Sequence, residues 1–208
     1  MSRDSLDLYR KHFVDKSFER LDLFQRLAGK FDIQRVLYAG SFVHITPSFI
    51  FPEVVYVDND KGANKFFRES RFRDVVAERK SYPQDPKITF HFTDYRNEFD
   101  EREENFDLLI SQYAGFVGKY CKRYLKKGGL LLANNSHGDA GVAALDEDYQ
   151  LIAVVNLRSG KYRISEEKLE EYFVPKSSKF QVKKEYLIEV QKGIGYKKSA
   201  SAYIFRRQ

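Results

Sequence analysis

Two apolar runs in the first half of this chain close on residues that could do chemistry. Between Arg35 and Asp60 lie RVLYAG and PEVVYVDND, so Gly40 ends the first run and Asp58 stands at the end of the second. Glycine lets backbone approach a ligand closely. Ligands of open α/β sheets lie outside the carboxyl ends of the strands, where an acid about 20 residues after such a glycine accepts hydrogen bonds from ribose hydroxyls. The spacing from Gly40 to Asp58 suits a nucleotide-type cofactor, and Asp58 is its strongest residue. Asp60 is the better candidate for capping the helix that follows. A third run, KITFHF, delivers Asp94 to its end. For that residue a ligand role and an Asx-turn at a strand exit both stand open.

A second polar cluster, NNSHGDAG, follows the apolar run LLLA and holds Asn134, Asn135, Ser136, His137 and Asp139. Histidine changes charge near neutral pH, which makes His137 a candidate general base, with a loop or capping role as the alternative. Tyr113, just past FDLLIS, could stack on a planar group or form a half-buried wall. His44 lies in the loop GSFVHITPSFIFP, where a hydrogen bond that fixes the loop is favoured over ligand contact. Cys121, within KYCKRYL, reads as a packing residue. His12, His44, His91 and His137 are scattered without metal-ligand spacing, so no metal is expected. No GxSxG, GxxxxGK[ST] or HExxH motif is present.

The elements that must position these residues alternate between strand and helix. Residues 3–28 carry Leu6, Tyr9, Phe13, Leu21, Phe24 and Leu27 among charges, which suits one long or two short amphipathic helices stopped near Gly29. Val36–Ala39 reads as the first strand. Thr46 could cap a helix with Pro47 at its first position, which Pro52 limits to under two turns. After a second strand at Val54–Val57, Ala63, Phe66, Phe67, Phe72, Val75 and Val76 form a stripe on a helix of about five turns. KITFHF and FDLLIS read as interior strands or one step from interior. Gly115–Leu125 reads as a helix with KKGG as its basic final turn, LLLAN as a fifth strand and LIAVV as a sixth. A helix over Ser165–Phe173 and two or three further strands, the last SAYIFRR, complete the pattern.

With 208 residues, 42% hydrophobic and 15% aromatic, the chain can bury a substantial core as one domain. One cysteine rules out an intramolecular disulfide and fits a reducing compartment. The first residues lack the apolar core of a signal peptide, and no run approaches the ~20 apolar residues that span a bilayer. A soluble cytoplasmic protein without a membrane partner is expected. The net charge of +6 is concentrated: residues 176–208 hold nine Lys or Arg against Glu185 and Glu189, while the first 175 residues come close to neutral. A solvated strand face is the favoured reading of that segment, and a nucleic-acid surface the alternative.

Taken together, these residues resemble the class I S-adenosylmethionine-dependent methyltransferases, over roughly residues 30–208. The resemblance implies an α/β fold with a Rossmann-like, seven-stranded, mostly parallel sheet, helices on both faces and an antiparallel C-terminal strand. It implies S-adenosylmethionine as cofactor, held by Gly40, Ser41 and Phe42 at the first turn, by Asp58 at the ribose and by Asp94 near the adenine. Ser111, Gln112 and Tyr113 then stand at the mouth beside the transferred methyl. Residues 1–30 become a helical extension, 31–135 the cofactor half and 136–208 the substrate half of one domain. The turn departs from the family pattern: it reads YAGSFVH, with Tyr38 where an acid is frequent and Phe42 where a small residue is common. No DPPY- or NPPY-type run follows the fourth strand. A methyltransferase with an unidentified acceptor is the leading expectation. The rivals are a non-catalytic protein of the same fold, an NAD-binding oxidoreductase without G-x-G-x-x-G, and a nucleic-acid binder using the basic C-terminal strands.

Overall fold

The computed structural model describes residues 6–176 and 182–208. Residues 177–181 of the basic segment therefore lie outside the described part. Met1–Phe99 and Asp100–Gln208 form two compact units.

The first unit opens with helix α1 (Leu6–Tyr9), which continues as a π-helical turn over Arg10–Val14, and then helix α2 (Leu21–Lys30). These are the two short helices expected, although α2 runs one residue past Gly29. Strand β1 (Arg35–Ala39), strand β2 (Glu53–Asp58), helices α3 (Lys61–Arg68) and α4 (Arg71–Arg79), and strand β3 (Lys87–Phe92) follow. The strands pair in parallel in the order β3-β2-β1, with Tyr38 beside Tyr56 and Val55 beside Thr89. Val36, Leu37, Val54 and Val55 are buried, as are Phe24, Leu27 and Phe66.

Three local expectations need correction here. The helix expected over five turns is broken, because Glu69 adopts extended backbone with ψ 142° and a new helix starts at Arg71. The loop helix is a single 3-10 turn over Thr46–Phe49 that begins without a side-chain cap; the Thr46 hydroxyl is hydrogen bonded to Tyr9 instead, at 3.0 Å. Strand β3 stands at the margin of its three-stranded arrangement, and its residues are mostly exposed or half-buried. Asp60 does cap α3, accepting the Ala63 N–H at 2.9 Å.

The second unit contains strand β4 (Phe106–Ser111), helix α5 (Val117–Tyr120), strand β5 (Leu125–Ala133), helix α6 (Asp139–Ala144), strands β6 (Tyr149–Arg158) and β7 (Lys161–Ser165), helix α7 (Lys184–Val190) and strand β8 (Ala202–Arg207). Strands β4 and β5 are parallel, and β8 runs antiparallel between β5 and β6, with β7 antiparallel on β6. Leu108–Ile110, Leu131, Leu132, Val154, Ile204 and Phe205 fill the core. Phe116, Val142 and Leu187 form a smaller apolar cluster that seats α7.

The described residues thus carry eight strands rather than seven. The additional one is β7, which ends at Ser165, where a helix was expected to begin; within Ser165–Phe173 the structure has only a 3-10 turn over Leu169–Glu171. KKGG is not a helix end. It lies within β5, where the register with β4 slips between Leu125 and Leu130, and Gly128 takes the left-handed φ of 79° that this bulge needs. Among the described residues no helix is long and apolar enough to cross a membrane.

Candidate functional site

In the first unit the turn after β1 and the acid that ends β2 form one hydrogen-bonded constellation. Gly40, at φ 64°, donates its N–H to the Val57 carbonyl at 2.8 Å, tying the turn to the neighbouring strand. Phe42 also has positive φ, at 48°, an orientation unfavourable for a residue with a Cβ. Its N–H donates to Asp58 Oδ2 at 2.7 Å, a charge-assisted bond that offsets this strain. Asp58 Oδ1 accepts the Asp60 N–H at 2.8 Å. Each carboxylate oxygen retains a further acceptor position. Ser41 is buried and donates its hydroxyl to the Phe42 carbonyl at 3.2 Å. The Phe42 ring meets the His12 ring edge-on at 5.2 Å, so the N-terminal segment lies against this turn.

Beyond Phe42 the loop is part of the core, with Val43 to Ile50 all buried. His44 is fully buried between Tyr38, whose hydroxyl lies 3.0 Å from Nδ1, and the Glu19 carbonyl oxygen, 3.0 Å from Nε2. Because a carbonyl only accepts, Nε2 carries the proton and Nδ1 accepts from the tyrosine hydroxyl. Burial, and secondarily the Arg20 charge, hold the imidazole well below its usual pKa, so it is neutral. Phe13 stacks on it at 4.3 Å. Tyr38 is thereby committed to the interior. Glu19 extends the network, accepting from Arg79 at 2.8 and 3.3 Å and from the Tyr9 hydroxyl. The loop-fixing role expected of His44 is what the structure contains.

Asp94 accepts the Arg96 backbone N–H at 2.9 Å, which is an Asx-turn, and its carboxylate is also clasped by the Arg96 guanidinium. Those side-chain bonds hold the carboxyl below its usual range. Asn59 approaches the same carboxylate at 3.5 Å, a weak link between the ends of β2 and β3.

In the second unit the ends of β4 and β5 meet the start of α6. The Asn134 N–H donates to the Ser111 carbonyl at 3.2 Å. The Ser111 hydroxyl donates to Asp139 Oδ2, and the Gly118 N–H of α5 reaches the same oxygen at 3.0 Å. Burial pushes the Asp139 carboxyl up to about 6, against these two bonds, which pull it down. A Cβ on residue 118 would come within 3.3 Å of both Asp139 oxygens and 2.7 Å of Leu131 Cδ2, so glycine is needed there. Asp139 Oδ1, Gln112 Oε1 and Asn134 Nδ2 are buried with no hydrogen-bond partner among the described residues. Each such atom costs about 1–3 kcal/mol unless a ligand or water meets it.

Asn134 Oδ1 accepts from the Ser136 hydroxyl at 2.9 Å and the Tyr113 N–H at 3.4 Å, bringing the two connections together. Tyr113, at φ 63°, exposes its ring. His137 is exposed on the loop after β5. Sequence reasoning had singled out the Asn134–Asp139 run but had no signal for the bond from Ser111 to Asp139 across 28 positions. Among the described residues no group of His, Cys, Asp and Glu could hold a metal ion.

No family profile matches the chain, and no curated protein does. Solved structures do. An S-adenosylmethionine-dependent methyltransferase from Thermotoga maritima superposes with a TM-score of 0.51 at 12% identity, over 98% of this chain and 95% of that one. A Klebsiella pneumoniae protein assigned as an O-methyltransferase gives 0.48 at 14% identity, over 70% of this chain and 76% of that one. The YcgJ protein of Bacillus subtilis gives 0.42 at 20% identity over 54% of this chain, which spans about half, 48%, of that protein's length. The near full-length superposition carries the comparison, and at its low identity it speaks to architecture: this chain has the class I S-adenosylmethionine-dependent methyltransferase fold.

Proposed function

We propose that the protein binds S-adenosylmethionine and transfers its methyl group to an acceptor. The observation that carries this reading is the union of turn and acid: Asp58, at the end of β2, holds the Gly40–Phe42 turn by the Phe42 N–H and still has acceptor positions for two hydroxyls. The residues fit the cofactor in kind. Gly40, Ser41 and Phe42 would supply backbone at the methionine and ribose portion, and Asp58 would bind the ribose. Asp94 would serve the adenine if Arg96 yields part of its carboxylate. Ser111, with the buried unpartnered atoms of Gln112 and Asn134 beside it, belongs to the methyl-transfer side.

S-adenosylmethionine supplies an electrophilic methyl on a sulfonium, so the protein has chiefly to orient the acceptor and remove a proton where the acceptor carries one. Tyr113 and His137, both exposed, are the acceptor-side groups in this reading, with His137 as base.

Calorimetric titration with S-adenosylhomocysteine and with NAD tests it. The expected outcome is saturable binding of the homocysteine compound, none of NAD, and at least ~tenfold weaker binding by Asp58→Asn, about 1.4 kcal/mol. Absence of binding, or an unchanged affinity in a folded Asp58→Asn protein, overturns the assignment. A non-catalytic protein of this fold is the second reading, favoured by Phe42, whose ring packs against His12 beside the turn. Binding without turnover across broad acceptor panels identifies that case.

A further inference from the structure

Away from the glycine turn, the first unit has a recess of about 370 Å³ at strand β3. Ile88, Phe90 and Phe92 alternate along β3 and so face the same side. Their cover fails progressively toward the carboxyl end: Ile88 is 8% exposed, Phe90 half-buried and Phe92 49% exposed. The cause is the break in the helical layer, since α3 stops at Arg68 and α4 resumes at Arg71. Phe67 of α3 stacks on Phe90 with centroids 4.4 Å apart and planes 12° from parallel, and Phe72 of α4 meets Phe67 at 5.2 Å. These stacked rings make a preformed aromatic wall.

The polar side of the recess is cationic. Arg73 donates Nη2 to the Ile88 carbonyl at 3.1 Å and lies 5.2 Å over the Phe72 ring, which fixes its fork while leaving donors free. Arg68 lines the same recess, and no carboxylate does. A planar aromatic wall, an exposed Phe92 and two guanidinium groups without a lining acid define the complement of an aromatic ring bearing an anion. Arginine forks match a carboxylate in two-point geometry, and aromatic rings stack favourably in offset contact. The volume falls within the range of small-molecule sites.

We propose that this recess is a binding site for a planar aromatic carboxylate of one or two rings, with the ring on Phe90 and Phe92 and the carboxylate on Arg68 and Arg73. It shares no residue with the Gly40–Asp58 constellation and stands or falls independently of methyl transfer.

The test uses 2-naphthoate and its neutral counterpart 2-naphthalenemethanol, titrated into the full chain and followed by calorimetry and by aromatic-region NMR. Saturable binding of naphthoate is expected. It should weaken at least ~tenfold, about 1.4 kcal/mol, for the neutral alcohol and in Arg68→Gln and Phe92→Ala. Arg71→Gln, which lies outside the recess, should bind like the parent. Circular dichroism checks that these surface variants remain folded. Three results overturn the proposal: no saturable binding at millimolar naphthoate, equal affinity for acid and alcohol, or unchanged binding in both recess variants.

Discussion

At the scale of single residues, two buried titratable groups show opposite solutions to desolvation. His44 avoids charge: both ring nitrogens are satisfied, by Tyr38 and by the Glu19 carbonyl, and the imidazole stays neutral. Asp139 instead accepts two donors on one oxygen and leaves the other without a partner among the described residues. Its carboxyl is raised from 3.8 to about 6, so between those values the folded chain holds a proton that the unfolded chain has released. The sign follows from linkage: this contribution is favourable below pH ~4 and is lost as pH rises through about 6. At 1.36 kcal/mol per pH unit the loss is about 3 kcal/mol. Asp139→Asn keeps an acceptor for Ser111 and Gly118 but cannot ionise. Urea unfolding at pH 5 and pH 8 should therefore show the variant gaining about 1.4 kcal/mol relative to the parent at the higher pH, the part of the loss that falls above pH 5. A difference that does not change with pH would refute the burial of an ionisable group here.

Elements in this chain are set by their contacts as much as by their residues. The pattern from Ala63 to Val76 is continuous for one helix, yet Glu69 is extended, and Phe66 and Phe72 stack across the break at 5.3 Å. Helix α7 lies in the stretch from which two or three further strands were expected, and Leu187 is what holds it, packed with Phe116 and Val142. Asp146 reinforces that seat by joining Lys184 at 2.8 Å and Lys122 at 3.0 Å. After α7 the chain passes so close to the loop following β5 that a Cβ on residue 193 would fall 2.0 Å from the Asn135 carbonyl oxygen. Backbone on both sides prevents an easy escape. Gly193→Ala should destabilise by about 1–3 kcal/mol, the usual range for overpacking. Thermal unfolding measures it, and a melting temperature equal to the parent's would show that this approach is not tight.

On the scale of the whole molecule, the division at Phe99 and Asp100 falls in a polar stretch, Asp100 to Glu104, whose Arg102 and Glu103 are exposed. Backbone bonding returns at Glu104, whose N–H donates to the Arg123 carbonyl at 3.0 Å. Exposed polar connections between compact units are preferred sites of limited proteolysis. A glutamate-specific endoproteinase should make its first internal cut between Glu101 and Glu104, giving two fragments of nearly equal mass. Mass spectrometry reads the site, and a first cut elsewhere would contradict the expectation. The basic C-terminal charge is partly neutralised within its own unit: Lys198 pairs with Glu171 at 2.6 Å, Lys184 with Asp146, and Arg207 with Glu104 at 3.0 Å.

The sequence by itself determined the strands and the acids at their ends. Short apolar runs bounded by glycine, proline and carboxylates are local signals, so Arg35–Ala39, Glu53–Asp58, Lys87–Phe92 and Phe106–Ser111 were legible, as was Asp60 as a cap, while for Asp94 the turn was one of two open readings. The tertiary structure decided what local signals cannot encode: pairings between residues far apart in the chain. Glu19 reaches Arg79 across 60 positions, Ser111 reaches Asp139 across 28, and Tyr38 turns into the core because His44 waits there. Hydrogen bonds of that kind depend on which faces the packed elements present to one another, and that is fixed when apolar burial brings the elements together.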